Sequence, residues 1–237
     1  AFDEYDIICC IGDYHLHEFN QPKYKDKILL KTGYYYYDYI SDKKNEVKIK
    51  KEISNTVLVA PSWNYSSKNF LELHCLDLIN QLLTQKYNVI FRPHQEHFKR
   101  NKETISKIYN KFCQNNDFEF DTNPFNLNSL FSSSYLVTDY SGIAHEFIFL
   151  INKPVLYFKN LSKIHNTDQD RLTGSTIEEH IFEKFGFPIY EKDINDIDSS
   201  IKNSKENFNK KFDSINKFAE ENFYNFKESD KASIYFF

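Results

Sequence analysis

The sequence is poor in the residues that punctuate a chain, with 5 glycines and 6 prolines in 237 residues. Each one is therefore positionally informative. Long hydrophobic runs are also missing: none approaches the ~20 residues needed to span a bilayer, and a secretory leader is not expected. Nor does one charge sign dominate. The 30 basic and 34 acidic side chains give a formal net charge of −4, which provides no general attraction to nucleic acid or to an acidic membrane surface. The four cysteines, Cys9, Cys10, Cys75 and Cys113, form neither a CxxC pair nor a metal-ligand spacing. Cys9 and Cys10 sit in an apolar run, where a thiol behaves as a small hydrophobe, and the whole pattern fits a reducing compartment, the cytoplasm. The chain begins without Met and enters an ordered-looking segment at once. A fragment lacking an N-terminal partner domain is the expectation.

What is present is ample core material, with 41% hydrophobic residues. Short apolar runs at 6–11, 27–31, 56–60, 88–92, 135–138 and 154–158 read as strands, several of them covered on both faces. Between them, 67–86 and 102–113 carry apolar residues at helical spacing, and 142–151 is almost wholly apolar, as a buried helix would be. Strand–helix–strand repetition predicts an α/β fold with a Rossmann-like parallel sheet. The expected division is 1–52 as a connecting region with short strands, 53–190 as the nucleotide-binding domain, and 191–237 as two helices packing back on it. Within these, 41–52 reads as a solvated linker. Phe208, Phe212, Ile215 and Phe218 form the packing stripe of the C-terminal segment. The basic residues Lys99, Arg100, Lys102, Lys107 and Lys111 read as a solvated helix face.

In an open parallel sheet, ligands bind beyond the carboxyl ends of the strands. Three strand ends carry uncommon polar residues. Pro61, Ser62 and Trp63 follow the first; a hydroxyl and an N–H there suit a phosphate, and an N-cap serine with a packing tryptophan is the alternative. Arg92, Pro93 and His94 follow the second, pairing a permanent forked charge with a group that titrates near neutrality. His97, one helical step on, is expected at the surface. Asp139, Tyr140, Ser141 and Gly142 follow the third, at the start of the apolar helix. Free N–H groups and the positive end of a helix dipole attract an anion, and glycine permits close approach. Asp139 is expected to cap the helix or orient Ser141. Glu146, a turn further, suits the hydroxyls of a ribose. No carboxylate pair has metal-ligand spacing, so no metal and no cofactor beyond a nucleotide-activated donor is expected.

With these motifs in place, the chain resembles the C-terminal part of the CDP-glycerol glycerophosphotransferase family, from Thr32-Gly33 to the end. The resemblance rests on Val57-Leu58-Val59-Ala60-Pro61-Ser62-Trp63, Arg92-Pro93-His94, Val137-Thr138-Asp139-Tyr140-Ser141, Lys153-Pro154-Val155-Leu156-Tyr157-Phe158 and the closing Asp230-Lys231-Ala232-Ser233. It implies the C-terminal, nucleotide-binding half of a GT-B fold facing an N-terminal acceptor domain. It also implies a CDP-glycerol-like donor, a polymer or lipid-linked acceptor of the teichoic acid or capsule class, no nucleic acid partner, and a location extending to the inner face of the cell membrane. His94 and Arg92 would then be catalytic; Pro61, Ser62, Trp63, Asp139, Tyr140, Ser141, Gly142 and Glu146 would bind nucleotide. The pattern departs from the family at Asn64-Tyr65, at Gly33-Tyr34-Tyr35-Tyr36 and at Gly142, which removes positive charge. The string from Asp139 to Glu146 is also similar to the nucleotide-sugar 2-epimerase motif. Transfer of a phospho-alditol or sugar to a surface polymer therefore stands beside epimerisation or glycosyl transfer at carbon, and beside a non-catalytic nucleotide-binding module.

Overall fold

The computed structural model describes residues 4–20, 22–44, 55–64, 69–159 and 177–226. Strand β1 (Ile7–Cys10), helix α1 (Asp13–Phe19) and strand β2 (Ile28–Lys31) form a small parallel unit, followed by helix α2 (Tyr35–Lys43). Tyr35, Tyr36 and Tyr37 are thus helical, with Tyr34 preceding them in extended geometry. Ser41, expected in a solvated linker, lies inside α2, where Tyr37 and Ile40 are buried. Residues 45–52, and with them the expected boundary at 52, lie outside the described residues. Cys10 is buried whereas Cys9 faces solvent, because successive side chains of a strand point to opposite faces.

The remaining strands form one parallel sheet. In chain order these are β3 (Thr56–Ala60), α3 (Phe70–Leu73), α4 (Cys75–Thr84), β4 (Asn88–Phe91), α5 (His97–Arg100), α6 (Lys102–Phe112), β5 (Phe118–Phe120), α7 (Leu127–Ser132), β6 (Tyr135–Thr138), α8 (Ile143–Glu146), β7 (Val155–Phe158), α9 (Ile177–Phe185), β8 (Phe187–Ile189) and α10 (Ile197–Asn222). The strand order is β5-β4-β3-β6-β7-β8. Every residue of β3, β6 and β7 is buried, as helices on both faces of a parallel sheet require. From β3 the chain steps outward to β4 and β5, then returns to β6 on the other side of β3. The loops after β3 and β6 therefore diverge and open a crevice between them.

The edge strands β5 and β8 are absent from the pattern of apolar runs for a physical reason. Each has three residues, exposing Glu119 in one and Pro188 in the other. An edge strand has only one neighbour to bury against and tolerates proline. The helix expected over 67–86 is divided: His74 leaves helical geometry (φ −128°, ψ −24°) between α3 and α4, and Leu73 from the expected stripe is exposed. The apolar helix after β6 begins as α8 and continues as a π-turn over Phe147–Ile151.

Where two C-terminal helices are expected, the described residues form one short 3-10 helix, Glu191–Asp196, and one 26-residue helix, α10. Its Ile197, Ile201, Phe208, Ile215 and Phe218 are buried, while Phe212 is exposed and leaves the expected stripe. Phe149 from the π-turn meets Phe218 and Phe223 with ring centroids 6.1 and 5.2 Å apart, so aromatic burial of ~1.5–3 kcal/mol per side chain fastens α10 to the domain. Beyond α10 the chain reaches the β1–β2 unit, where the Tyr224 N–H donates to the Ile11 carbonyl at 2.8 Å. Gly33 makes that approach possible: its φ is +77°, and a Cβ there would stand 2.1 Å from the Tyr224 carbonyl oxygen. The closing Asp230–Ser233 motif lies outside the described residues. No helix among the described residues is long and apolar enough to cross a membrane.

Candidate functional site

The crevice at the carboxyl ends of β3, β4 and β6 contains a cavity of about 270 Å³. Pro61 borders it from the β3 loop and Arg92, Pro93, His94 and Gln95 from the β4 loop. Ser141, Gly142, Ile143 and Glu146 border it from the turn after β6 and from α8, and Tyr36 from α2. The three strand ends singled out from sequence thus meet at one place. Of the ten site residues expected, Pro61, Arg92, His94, Ser141, Gly142 and Glu146 line the cavity, whereas Ser62, Trp63, Asp139 and Tyr140 do not.

Ser62 has no donor to offer a ligand. Its N–H and its hydroxyl both go to the Asp139 carboxylate, to Oδ1 at 2.7 Å and to Oδ2 at 2.7 Å. Both residues are buried, and their clasp ties the end of β3 to the end of β6. Asp139 therefore braces the site across strands rather than capping the helix or orienting Ser141. Beside it, the Thr138 hydroxyl donates to the Ala60 carbonyl at 2.6 Å. Trp63 turns away from the cavity: its ring meets His97 edge-on at 5.4 Å, and the Arg100 guanidinium lies 5.5 Å from its centre. Tyr140 packs on Phe182 at 5.2 Å and Tyr157 at 6.1 Å.

Arg92 is a fixed charge on the cavity wall. Its guanidinium donates to the carbonyls of Asn126 (3.2 Å) and Pro124, and its Nε stands 3.9 Å from the buried Asp121. Asp121 is itself held by the Ser129 hydroxyl and by the N–H of Asn123 at 3.0 Å. A guanidinium has five N–H groups, so this bracing restrains its geometry without exhausting its donors. His94 accepts the Glu96 N–H at Nδ1 (3.1 Å), which puts the proton of the neutral ring on Nε2.

Gly142 opens α8 in ordinary helical geometry, and a Cβ built on it meets nothing within 4 Å. Glycine is thus not required by the fold at this point. Glu146 stands at the other end of the same turn. Burial raises its carboxyl to about 7, against the opposing pull of Arg92. Burial and the Glu146 charge also push the Tyr34 phenol up to about 12 and raise Tyr36. His145 faces Phe182 instead; burial lowers its imidazole, and its Nε2 has no hydrogen-bond partner among the described residues.

Sequence reasoning missed Tyr36, Asp121 and His97. The tyrosine run was visible, but nothing local says that α2 reaches the cavity. His97, expected at the surface, is fully buried, because its ring fills the space behind Ser62 and Trp63. Glu96 pairs with Lys99 (2.7 Å) and Arg100 (3.2 Å), which neutralises part of the basic stretch. No cluster of three or more His, Cys, Asp or Glu residues suited to a metal occurs among the described residues.

Residues 17–233 match the family model described as CDP-Glycerol:Poly(glycerophosphate) glycerophosphotransferase. No curated protein matches the chain. Among solved structures, the wall teichoic acid polymerase TagF is similar at a TM-score of 0.55 and 15% identity, covering 98% of this chain and 56% of that one. The Methanocaldococcus jannaschii UDP-GlcNAc 2-epimerase, solved with UDP-GlcNAc and UDP, is similar at 0.55 and 14%, covering 98% of this chain and 60% of that one. S. aureus MnaA, solved with UDP, is similar at 0.51 and 14%, covering 90% and 53%. These likenesses are of fold, and the expected parallel α/β architecture of the GT-B class is the one observed. The chain spans little more than half the length of these solved proteins.

Proposed function

The chain belongs to this glycerophosphotransferase family, and from that premise we propose that its cavity receives a nucleotide-activated donor, CDP-glycerol or a close analogue, for transfer to a cell-surface polymer. The observation that carries the reading is the convergence of Arg92, His94, Ser141 and Gly142, from two different strand ends, around one cavity that also contains Glu146. Arg92, the Ser141 hydroxyl and the N–H groups at the start of α8 serve the donor phosphates. Glu146 accepts hydrogen bonds from the ribose hydroxyls.

The reaction that follows is in-line displacement at the donor phosphate. An acceptor hydroxyl forms the new P–O bond and gives up its proton to water while the bond to the nucleotide breaks, and the nucleoside monophosphate leaves. Arg92 and the backbone donors stabilise the negative charge that builds on the leaving group. His94, whose neutral ring holds its proton on Nε2, donates toward that group. The acceptor polymer, the N-terminal domain that would present it, and attachment at the inner membrane face belong to the same proposal.

Calorimetry with CMP, CDP and UDP tests the binding step. Arg92→Ala should weaken binding of the preferred nucleotide by about 1–3 kcal/mol, the range for hydrogen bonds to charged groups. Equal affinity of Arg92→Ala and the native chain would refute the site. Incubating the full-length enzyme with CDP-glycerol, CDP-ribitol and UDP-sugars identifies the donor: CMP release supports the phosphotransferase, and UDP release alone points to nucleotide-sugar chemistry.

A further inference from the structure

His97 is fully buried behind the Pro61–Ser62 turn, and both of its ring nitrogens face hydrogen-bond acceptors. Nε2 lies 3.2 Å from the Ser62 carbonyl oxygen, which can only accept. Nδ1 lies 3.0 Å from Asn101 Oδ1. The orientation of that amide is set from its other side, where Asn101 Nδ2 meets the Glu72 carboxylate. A carboxylate requires a donor, so the nitrogen must face Glu72 and the oxygen must face His97. A neutral imidazole has one N–H and would leave one of these two contacts as a pair of opposed lone pairs. An imidazolium satisfies both.

The surroundings suit a cation. The Ser62 whose carbonyl His97 holds is the residue whose N–H and hydroxyl bind the buried Asp139 carboxylate. The Glu72 carboxylate holds the far side of the Asn101 amide that faces Nδ1, so a carboxylate stands one residue removed from each ring nitrogen. The guanidinium of Arg100 lies 5.5 Å from the centre of the Trp63 ring and is paired with Glu96. The His94 ring, on the cavity side, is 6.4 Å from that of His97.

We propose that His97 is a doubly protonated positioning residue of the donor site, fixing the Ser62–Asp139 clasp and placing a positive charge behind the phosphate-binding wall. The charge is independent of the ligand; the positioning role rests on the reading of the cavity as a donor site. Because the ring is sealed from solvent, its charge acts through a medium less screening than water and favours an anion in the adjoining cavity.

Nitrogen–proton correlation spectra of the histidine side chains, recorded on the whole chain near neutral pH, read the state of each ring, with His97→Gln supplying the assignment. Both nitrogens of His97 should carry protons. The pattern of a single neutral tautomer would overturn the proposal, whatever the nucleotides do. Calorimetry with CDP tests the positioning role. His97→Gln keeps a donor for the Ser62 carbonyl without the charge, and should weaken CDP binding about tenfold or more while its circular dichroism stays native. Unchanged affinity would remove the positioning role while leaving the donor-site reading intact. Failure of the native chain to bind CDP would remove the donor-site reading and the positioning role together, and the ring spectra would still decide the charge.

Discussion

Replacing Glu146 with glutamine should make the protein more stable at about pH 8 while leaving it nearly unchanged at about pH 5. In the folded chain burial raises this carboxyl from 4.5 to about 7. Folding therefore favours the protonated form. The native protein loses stability as pH rises from about 4.5 to about 7, and the full loss persists above that range. At ~1.4 kcal/mol for each pH unit, the limiting value is on the order of 3 kcal/mol. The carboxylate borders a cavity open to water, so screening reduces the expected difference to ~1–3 kcal/mol. Glutamine has nearly the same shape and does not titrate, and every other titrating group is common to both proteins. Urea unfolding of the two chains, followed by the fluorescence of Trp63 from about pH 4.5 to about pH 8, isolates the term. A stability difference that stays constant across the range would refute the argument, because it would mean that the carboxylate is solvated as it is in the unfolded chain. The same titration bears on function. If ionised Glu146 accepts the ribose hydroxyls, nucleotide affinity should fall as pH drops through about 7, and Glu146→Gln should bind weakly without that dependence.

Two further substitutions test the framework. Asp139→Ala removes both acceptors of Ser62 and leaves a buried N–H and a buried hydroxyl unpaired. It should lower stability by about 2–4 kcal/mol in urea unfolding, and a loss under about 0.5 kcal/mol would mean that the two strand ends do not depend on the clasp. Gly33→Ala forces a side chain into positive φ and against the Tyr224 carbonyl. A loss of about 1–3 kcal/mol is expected by thermal or urea unfolding, and a neutral result would indicate that the end of α10 does not close on Gly33.

Much of the sheet was legible because its physics is local. A strand covered on both faces must be apolar throughout, so 56–60, 135–138 and 154–158 declared themselves, and the parallel topology followed from the intervening helical stretches. The short edge strands were not legible, since three residues with a glutamate or a proline carry no distinctive pattern. The same contrast runs through the site. Arg92, His94 and Ser141 could be singled out because they are polar residues just beyond apolar strands, and Gly142 and Glu146 because they open and close the first turn of the apolar helix that follows. Their convergence required the strand order, which brings β3, β4 and β6 together although their ends lie far apart in the chain.

What the sequence by itself determined was the class of the domain and the identity of the polar strand ends, both of which follow from short-range alternation of apolar and polar residues. Only the tertiary structure decided what each polar group does. Ser62 and Asp139 are 77 residues apart, yet they satisfy each other, so neither reaches the cavity. His97, one helical step beyond His94, was expected at the surface, but the turn after β3 closes over it. Tyr36 reaches the same cavity from a segment that had looked like a connector. Hydrogen-bond partners and burial are set by contacts between distant segments, and the identity of a residue does not encode which neighbour will use its donors.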